Sequence, residues 1–234
     1  MKRAVGKAKQ AFELGPMESI RLDVRTVAHV PLDDELEEDG VADGRAIQEF
    51  EATLLLANEA KSQEAAIGAL RGWVLRVDLL DRYELSALEA CDEEDGTLAE
   101  YAVALFDEET NSFNEAVEDL VGDVDDPNVL IVDRAEIRKE YQGRGLAARA
   151  LNALTLMLGS GCGLVAIQPF PMQFGAYGRA YHESQASQVA EWRDRHGIEQ
   201  FVNDKVAAKR KLASYWSENG FRRVGKTTVF VKRP

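Results

Sequence analysis

At 234 residues and a formal charge of −13, with 45% apolar and 29% charged residues, the chain has the length and composition of one large globular domain rather than a disordered protein. Two cysteines, Cys91 and Cys162, without a C-x-x-C pair exclude a disulfide scaffold or a cysteine-built zinc site, and a core of this size needs neither. Near-continuous apolar runs such as Ala52 to Ala57 are too short to span a bilayer; the first fifteen residues carry four Lys/Arg and no apolar stretch, so a cytoplasmic protein without a secretory signal is expected.

Charge is uneven along the chain. Residues 205–234 hold nine Lys/Arg against Glu218 alone, or +8, which leaves −21 on the preceding 204 residues. An acidic body repels nucleic acid and membrane surfaces and attracts cationic partners. The basic end either meets an anionic ligand or is a solvated face that balances the body.

Ile20, Leu22, Val24, Ala28 and Val30 alternate with polar residues, the period of a half-buried strand. Asp33 to Gly44, rich in acids, reads as a solvated loop. Phe50, Ala52, Leu54 and Leu56 predict a second strand, and Trp73, Leu75, Val77 and Leu79 a third, together an antiparallel meander. Helices follow: Thr97 with Glu100 and Ser112 with Glu115 are capping-box pairs ahead of apolar residues at helical spacing. After a Pro127-containing loop, Val129 to Val132 predicts a central strand covered on both faces. Gly163 to Ile167 predicts another strand, Leu212 to Phe221 a helix, and Phe221 to Val231 a last strand.

Between the central strand and a helical run through Leu151, Leu154 and Leu158 stand Gln142-Gly143-Arg144-Gly145-Leu146-Ala147. A glycine-rich turn entering a helix leaves backbone N–H groups converging at the positive end of the helix dipole, an arrangement suited to pyrophosphate. Taken alone, such a turn equally serves only to redirect the chain.

Gln142-x-x-Gly145-x-Ala147 resembles the phosphate-binding turn of the GNAT acyltransferase family. The segment Leu212–Phe221, ending in Gly220-Phe221, is similar to that family's last helix. The resemblance covers residues 128–234 apart from an insertion at 170–204, and is vague over 1–127. It implies one α/β (α+β) domain over 1–234, with a mixed, mostly antiparallel sheet, splayed central strands and helices on both faces. It also implies transfer of an acetyl group from acetyl-CoA to an amine by direct attack, without a metal. Backbone groups of Ala135, Glu136 and Ile137 would pair with the pantetheine arm, the N–H of Ile137 would face the thioester oxygen, and amides from Gln142, Gly143, Arg144, Gly145, Leu146 and Ala147 would hold the pyrophosphate. Arg138, Lys139 and Arg144 are candidates for the remaining phosphate charge, or else solvated side chains.

Glu136 is the first candidate for the base that takes the amine proton; the alternative is a strand-end carboxylate facing solvent. The family's acidic tyrosine is replaced by Trp216, so either Tyr215 substitutes or no side-chain acid acts, a thiol of pKa about 8.5 being a tolerable leaving group. Cys162 reads as a small buried hydrophobe rather than a nucleophile, and His29, His182 and His196 lack metal-ligand spacing. The insertion, with Tyr177, Tyr181 and His182 and a helix through Val189 and Trp192 to Gly197, is either an acceptor-pocket wall governing the acceptor or a satellite core. The expected acceptor is a cationic small-molecule or peptide amine, with a homodimer left open. Rival readings are a non-catalytic CoA-binding or protein-interaction module of the same fold, or an enzyme acetylating charged tRNA through the basic end.

Overall fold

The computed structural model describes residues 18–27, 46–58, 63–82, 84–175, 186–201 and 203–234. The expected acidic loop at 33–44, His29, and the Tyr177, Tyr181 and His182 group lie outside the described residues.

The alternating segments pair in chain order: β1 (Glu18–Val27), β2 (Ile47–Asn58) and β3 (Gln63–Leu75) form an antiparallel meander. On β2, Phe50, Ala52 and Leu54 are buried while Glu49 and Glu51 face water, as period-2 patterning requires. The third strand departs from expectation. It begins ten residues before Trp73 and stops at Leu75, and Val77–Arg82 is a helix, α1. Ala65, Ala66, Gly68 and Ala69 carry no alternation signal, which hid the strand's first half. Val77 and Leu80, three apart, are buried on one helical face, which explains the end of the strand.

The helices α2 (Ala87–Glu94), α3 (Gly96–Leu105) and α4 (Glu115–Val121) complete this segment. Neither expected capping box forms. Asp95 accepts from the Thr97 N–H at the start of α3, and Asn114 from the Val117 N–H at the start of α4. Short Asp and Asn side chains outcompete the downstream or upstream hydroxyl residues for the same free amides.

The rest runs β4 (Val129–Ile137), α5 (Leu146–Leu158), β5 (Leu164–Ile167), α6 (Ala186–His196), α7 (Lys205–Glu218), β6 (Arg222–Arg223) and β7 (Phe230–Lys232). The single last strand expected over 221–231 is instead a tight hairpin, in which the Val224 N–H donates to the Val229 carbonyl and the Thr227 N–H to that of Val224. The protein is thus α+β; its described residues form one mixed seven-stranded sheet in the order β1-β2-β3-β4-β5-β7-β6, in which β4 and β5 are the parallel pair.

Helices cover both faces. Leu98, Tyr101 and Leu105 of α3 pack with Val129 and Ile131 of β4 on one side. On the other, Leu151 and Leu154 of α5 and Trp216 of α7 pack with Leu130 and Val132. All four apolar residues that open β4 are therefore buried, as are all four residues of β5. Each such side chain contributes about 1.5–3 kcal/mol through burial. Asn128, itself buried, ties the layers at the strand entry: its Oδ1 accepts from the Asp78 N–H of α1, and its Nδ2 donates to the Gly161 carbonyl before β5. Among the described residues no helix is long and apolar enough to cross a membrane.

Candidate functional site

The parallel strands β4 and β5 pair from Val129↔Leu164 to Val132↔Ile167 and then part. At that point β4 bulges against β3: Gly72 faces Val132 and Arg71 faces Arg134, so Asp133 has no opposite residue. Gly72 makes this possible, since a Cβ there would lie 1.9 Å from the Ile131 carbonyl oxygen. Gly68 allows the same close approach farther along, 2.3 Å from the Glu136 carbonyl oxygen.

Where the strands separate lies a cavity of about 920 Å³. Asp133 and Ala135 of β4, Gln168 beyond β5, and Ala213 of α7 line it, and the two alanines keep it wide. One end carries Thr97 and Glu100 of α3; Lys209 and Arg210 of α7 stand along another wall. Phe170, Met172 and Phe174, the first residues of the insertion, add an apolar side. The ammonium groups of Lys205 and Lys209 sit over the Phe170 ring, 5.4 and 5.0 Å from its centroid. Beyond Val132, β4 has no strand beside it on this edge among the described residues. The Arg138 N–H donates to Ile67 of β3, so strand alternation turns the backbone groups of Ile137 and Ala135 to the cavity edge.

Asp133 is the carboxylate that β4 places in the cavity, which Glu100 of α3 also lines. Burial raises its pKa above the usual carboxylate range; Arg134 opposes this, Asp95 and Glu100 reinforce it, and a hydrogen bond from Tyr101 opposes it. The Tyr101 hydroxyl, on a fully buried side chain, lies 3.5 Å from Asp133 Oδ1 and accepts from the Gln168 backbone amide. It thereby bridges the parted strands. Burial, then the neighbouring Asp133 charge, hold its own pKa well above that of a free phenol. Gln168 is fixed in turn, its Nε2 donating to Glu100 and to the Thr228 hydroxyl at 2.8 and 2.6 Å. Sequence reasoning passed over Asp133 because it extends an apolar run and no local signal marks the bulge.

The glycine turn leaves β4 as expected. Gly143 and Gly145 both hold left-handed backbone, with φ of +73° and +69°, and a Cβ at either would meet nothing within 4 Å. The glycines are thus required by conformation, and the side on which a Cβ would stand is open. Helices α2, α3, α4 and α7 each carry a side-chain cap at their N-terminus, whereas α5 starts at Gly145 with none. One of its early amides, Ala148 N–H, donates to the Tyr215 hydroxyl at 3.2 Å.

Gln142 secures the turn: its Nε2 donates to the carbonyls of Ile137 and His196 at 2.8 and 3.0 Å. Arg144 folds back on the turn, donating to the Glu140 carbonyl and resting over the Tyr141 ring. Leu146 and Ala147 open α5, with Leu146 buried. Tyr215 lies at the start of α5 rather than among the cavity residues, and Trp216 is a core residue in edge contact with Tyr215 and Phe221. Lys139 pairs with Asp194, and Arg138 donates its backbone N–H to β3.

Glu136 stands outside the cavity of Asp133, on the wall of a second one of about 400 Å³ that Arg71, Arg134 and Trp192 also line. Its carboxylate meets Arg134 Nε at 2.7 Å, accepts from Trp192 Nε1 at 3.2 Å, and lies 3.4 Å from His196 Nε2. Helix α6 of the insertion brings the last two groups, so the insertion reaches the cavity with its first residues and the glycine turn with its helix. Cys162 is buried and its thiol is pushed up to about 11 by burial first, a poor nucleophile. Among the described residues, no three His, Cys, Asp or Glu side chains are grouped to hold a metal ion. Comparison with protein-family models, with curated proteins and with solved structures gives no match to this chain.

Proposed function

We propose that the protein is an acyl-CoA-dependent N-acyltransferase of GNAT fold, transferring acetyl from acetyl-CoA to an amine. The observation that carries the reading is the parting of the parallel pair β4/β5 around a cavity, with β4 leading directly into an open glycine turn and an uncapped helix. Pantetheine would lie in the gap against the backbone of Ala135 and Ile137, and the pyrophosphate over the amides of the turn. Lys209 and Arg210 supply further positive charge on the cavity wall.

Asp133 is the base this geometry favours over Glu136, because it lines the cavity and burial raises its affinity for a proton. The amine nitrogen attacks the thioester carbon and the carbon–sulfur bond breaks. The amine proton passes to Asp133, and the leaving thiolate takes one from solvent. Backbone N–H at Ile137 stabilises the developing oxyanion. Glu100 beside Asp133 gives the acceptor end two carboxylates, which fits a cationic amine.

Calorimetry with CoA, followed by acetyl-CoA turnover over a panel of monoamines, diamines and lysine peptides, tests the reading. It predicts binding and amine-dependent thiol release. A second reading, a CoA-binding module without turnover, is favoured by the core position of Trp216, and binding with no thiol release from any amine would select it. Binding of neither CoA nor acetyl-CoA would reject both.

A further inference from the structure

We propose that helix α6 of the insertion is a clamp that sets the shape of the glycine turn, and that Glu136 is its anchor: a positioning residue for the donor rather than the base. The proposal rests on the acyltransferase reading for what the turn binds, but its geometry stands apart from it. Four contacts join α6 to β4 and the turn. Glu136 accepts from Trp192 Nε1 and faces His196 Nε2. The carbonyl of His196, the last residue of α6, accepts from Gln142 Nε2, which also holds Ile137. Asp194 pairs with Lys139 at 2.8 Å on the other side of the turn.

The cluster is internally braced. His196 Nδ1 donates to the Trp192 carbonyl at 2.8 Å, which locks the ring against its own helix, and the two rings lie 4.9 Å apart. Arg134 neutralises Glu136 and sits 5.8 Å from the Trp192 ring centroid. Gly197 ends α6 with φ of +61°, and a Cβ there would stand 3.0 Å from Lys139 Cβ, so helix end and turn meet at contact distance. A carboxylate with an arginine, an indole N–H and a histidine around it is committed to structure. An amide-built anion site works only if its N–H groups converge before the ligand arrives, so holding the turn is a direct contribution to donor affinity.

Three variants test this: Glu136→Gln, Trp192→Phe, and the surface change Asp194→Asn, which leaves the core untouched. Two measurements are made on each, CoA affinity by calorimetry with donor KM and kcat, and hydrogen exchange of amides 139–147. The clamp predicts a CoA Kd raised about tenfold in the first two, the size of one lost charged hydrogen bond, and less in Asp194→Asn. It predicts kcat at saturating acetyl-CoA within about threefold of the parent, and an unchanged pH profile. The double variant Glu136→Gln with Trp192→Phe should be no worse than Glu136→Gln alone, because the indole bond lost in Trp192→Phe is one that Glu136 makes. Exchange should quicken at 139–147 and not in β3 or β4. A fall in kcat with unaltered CoA affinity and recovery at alkaline pH would instead make Glu136 the base and overturn the clamp. Unchanged exchange in all three variants would overturn it too. If the parent protein binds no CoA, the acyltransferase reading falls and the exchange measurement alone decides the clamp.

Discussion

Asp133 and Glu136 stand three residues apart on one strand, and the regions around them are built for opposite ends. Around Asp133 the strands part, the neighbouring charges are mixed, and the nearest bonded partner is a long contact from a buried hydroxyl. Around Glu136 an arginine, an indole and an imidazole close in within 3.4 Å. A reactive carboxylate needs an incomplete set of partners, so that a substrate proton has somewhere to go; a structural one is completed by the protein. Burial does not separate the two, because both are largely covered. The number and kind of partners do.

The largest test of this contrast is Asp133→Asn, which keeps the shape and removes the proton acceptor. Turnover should fall by about 10²–10⁴ with CoA affinity retained. The same variant carries a stability signature of known sign. Asp133 has a folded-state pKa above its unfolded value, so the native protein holds that proton more firmly; its contribution is fully present below the unfolded pKa, about 3.9, and is lost as pH rises through the folded value. Asp133→Asn should therefore melt at or above the parent temperature at neutral pH and lose that advantage in acid. A variant less stable than the parent at neutral pH, with turnover intact, would erase the distinction between the two carboxylates.

Gly145→Val comes next. It asks whether the uncapped end of α5 is a donor site or only a bend. A valine there would occupy the open side of the turn and must also adopt a positive φ, costing about 1–2 kcal/mol in stability. CoA affinity should drop about a hundredfold, as for two lost charged hydrogen bonds. A folded variant that binds CoA like the parent would reduce the turn to a bend.

Smaller effects sharpen the picture. Tyr101→Phe removes the hydroxyl that bridges Asp133 and the Gln168 amide. About a tenfold loss in kcat is expected, from one hydrogen bond to a charged group. The acidic limb of the rate profile should also move to higher pH, because that bond lowers the Asp133 pKa. Smallest is Tyr215→Phe. If the hydroxyl only serves the Ala148 amide, the melting temperature falls about 2–4 °C, the equivalent of about 1 kcal/mol in a domain of this size, and kcat stays. A large loss of kcat would return Tyr215 to the role of acid.

Local patterns announced what local physics controls. Strand alternation on β1 and β2, the doubly covered run of β4, the short apolar strand β5, the turn Gly143-Arg144-Gly145 and the stop of α6 at Gly197 could all be read from the chain. Each depends on side-chain period or on the left-handed backbone that only glycine adopts freely. What escaped has causes elsewhere in the fold. In the first half of β3 the alanines carry no alternation signal, and Gly68 is set by the close approach of the β4 backbone. The caps of α3 and α4 fell to Asp95 and Asn114 through competition among neighbouring polar residues.

The same division runs through the site. Sequence alone determined that a strand would deliver a carboxylate-bearing segment into a glycine turn and a helix, because those elements are contiguous. It did not determine which carboxylate would face the cavity. That choice follows from a bulge permitted by Gly72, sixty-one residues earlier on another strand, and from Tyr101 reaching across from α3. Glu136 is held by Trp192 and His196, more than fifty residues later. A one-residue bulge reverses which side chains face which way beyond it, and only the assembled sheet, with its partners from distant parts of the chain, decides where that reversal falls.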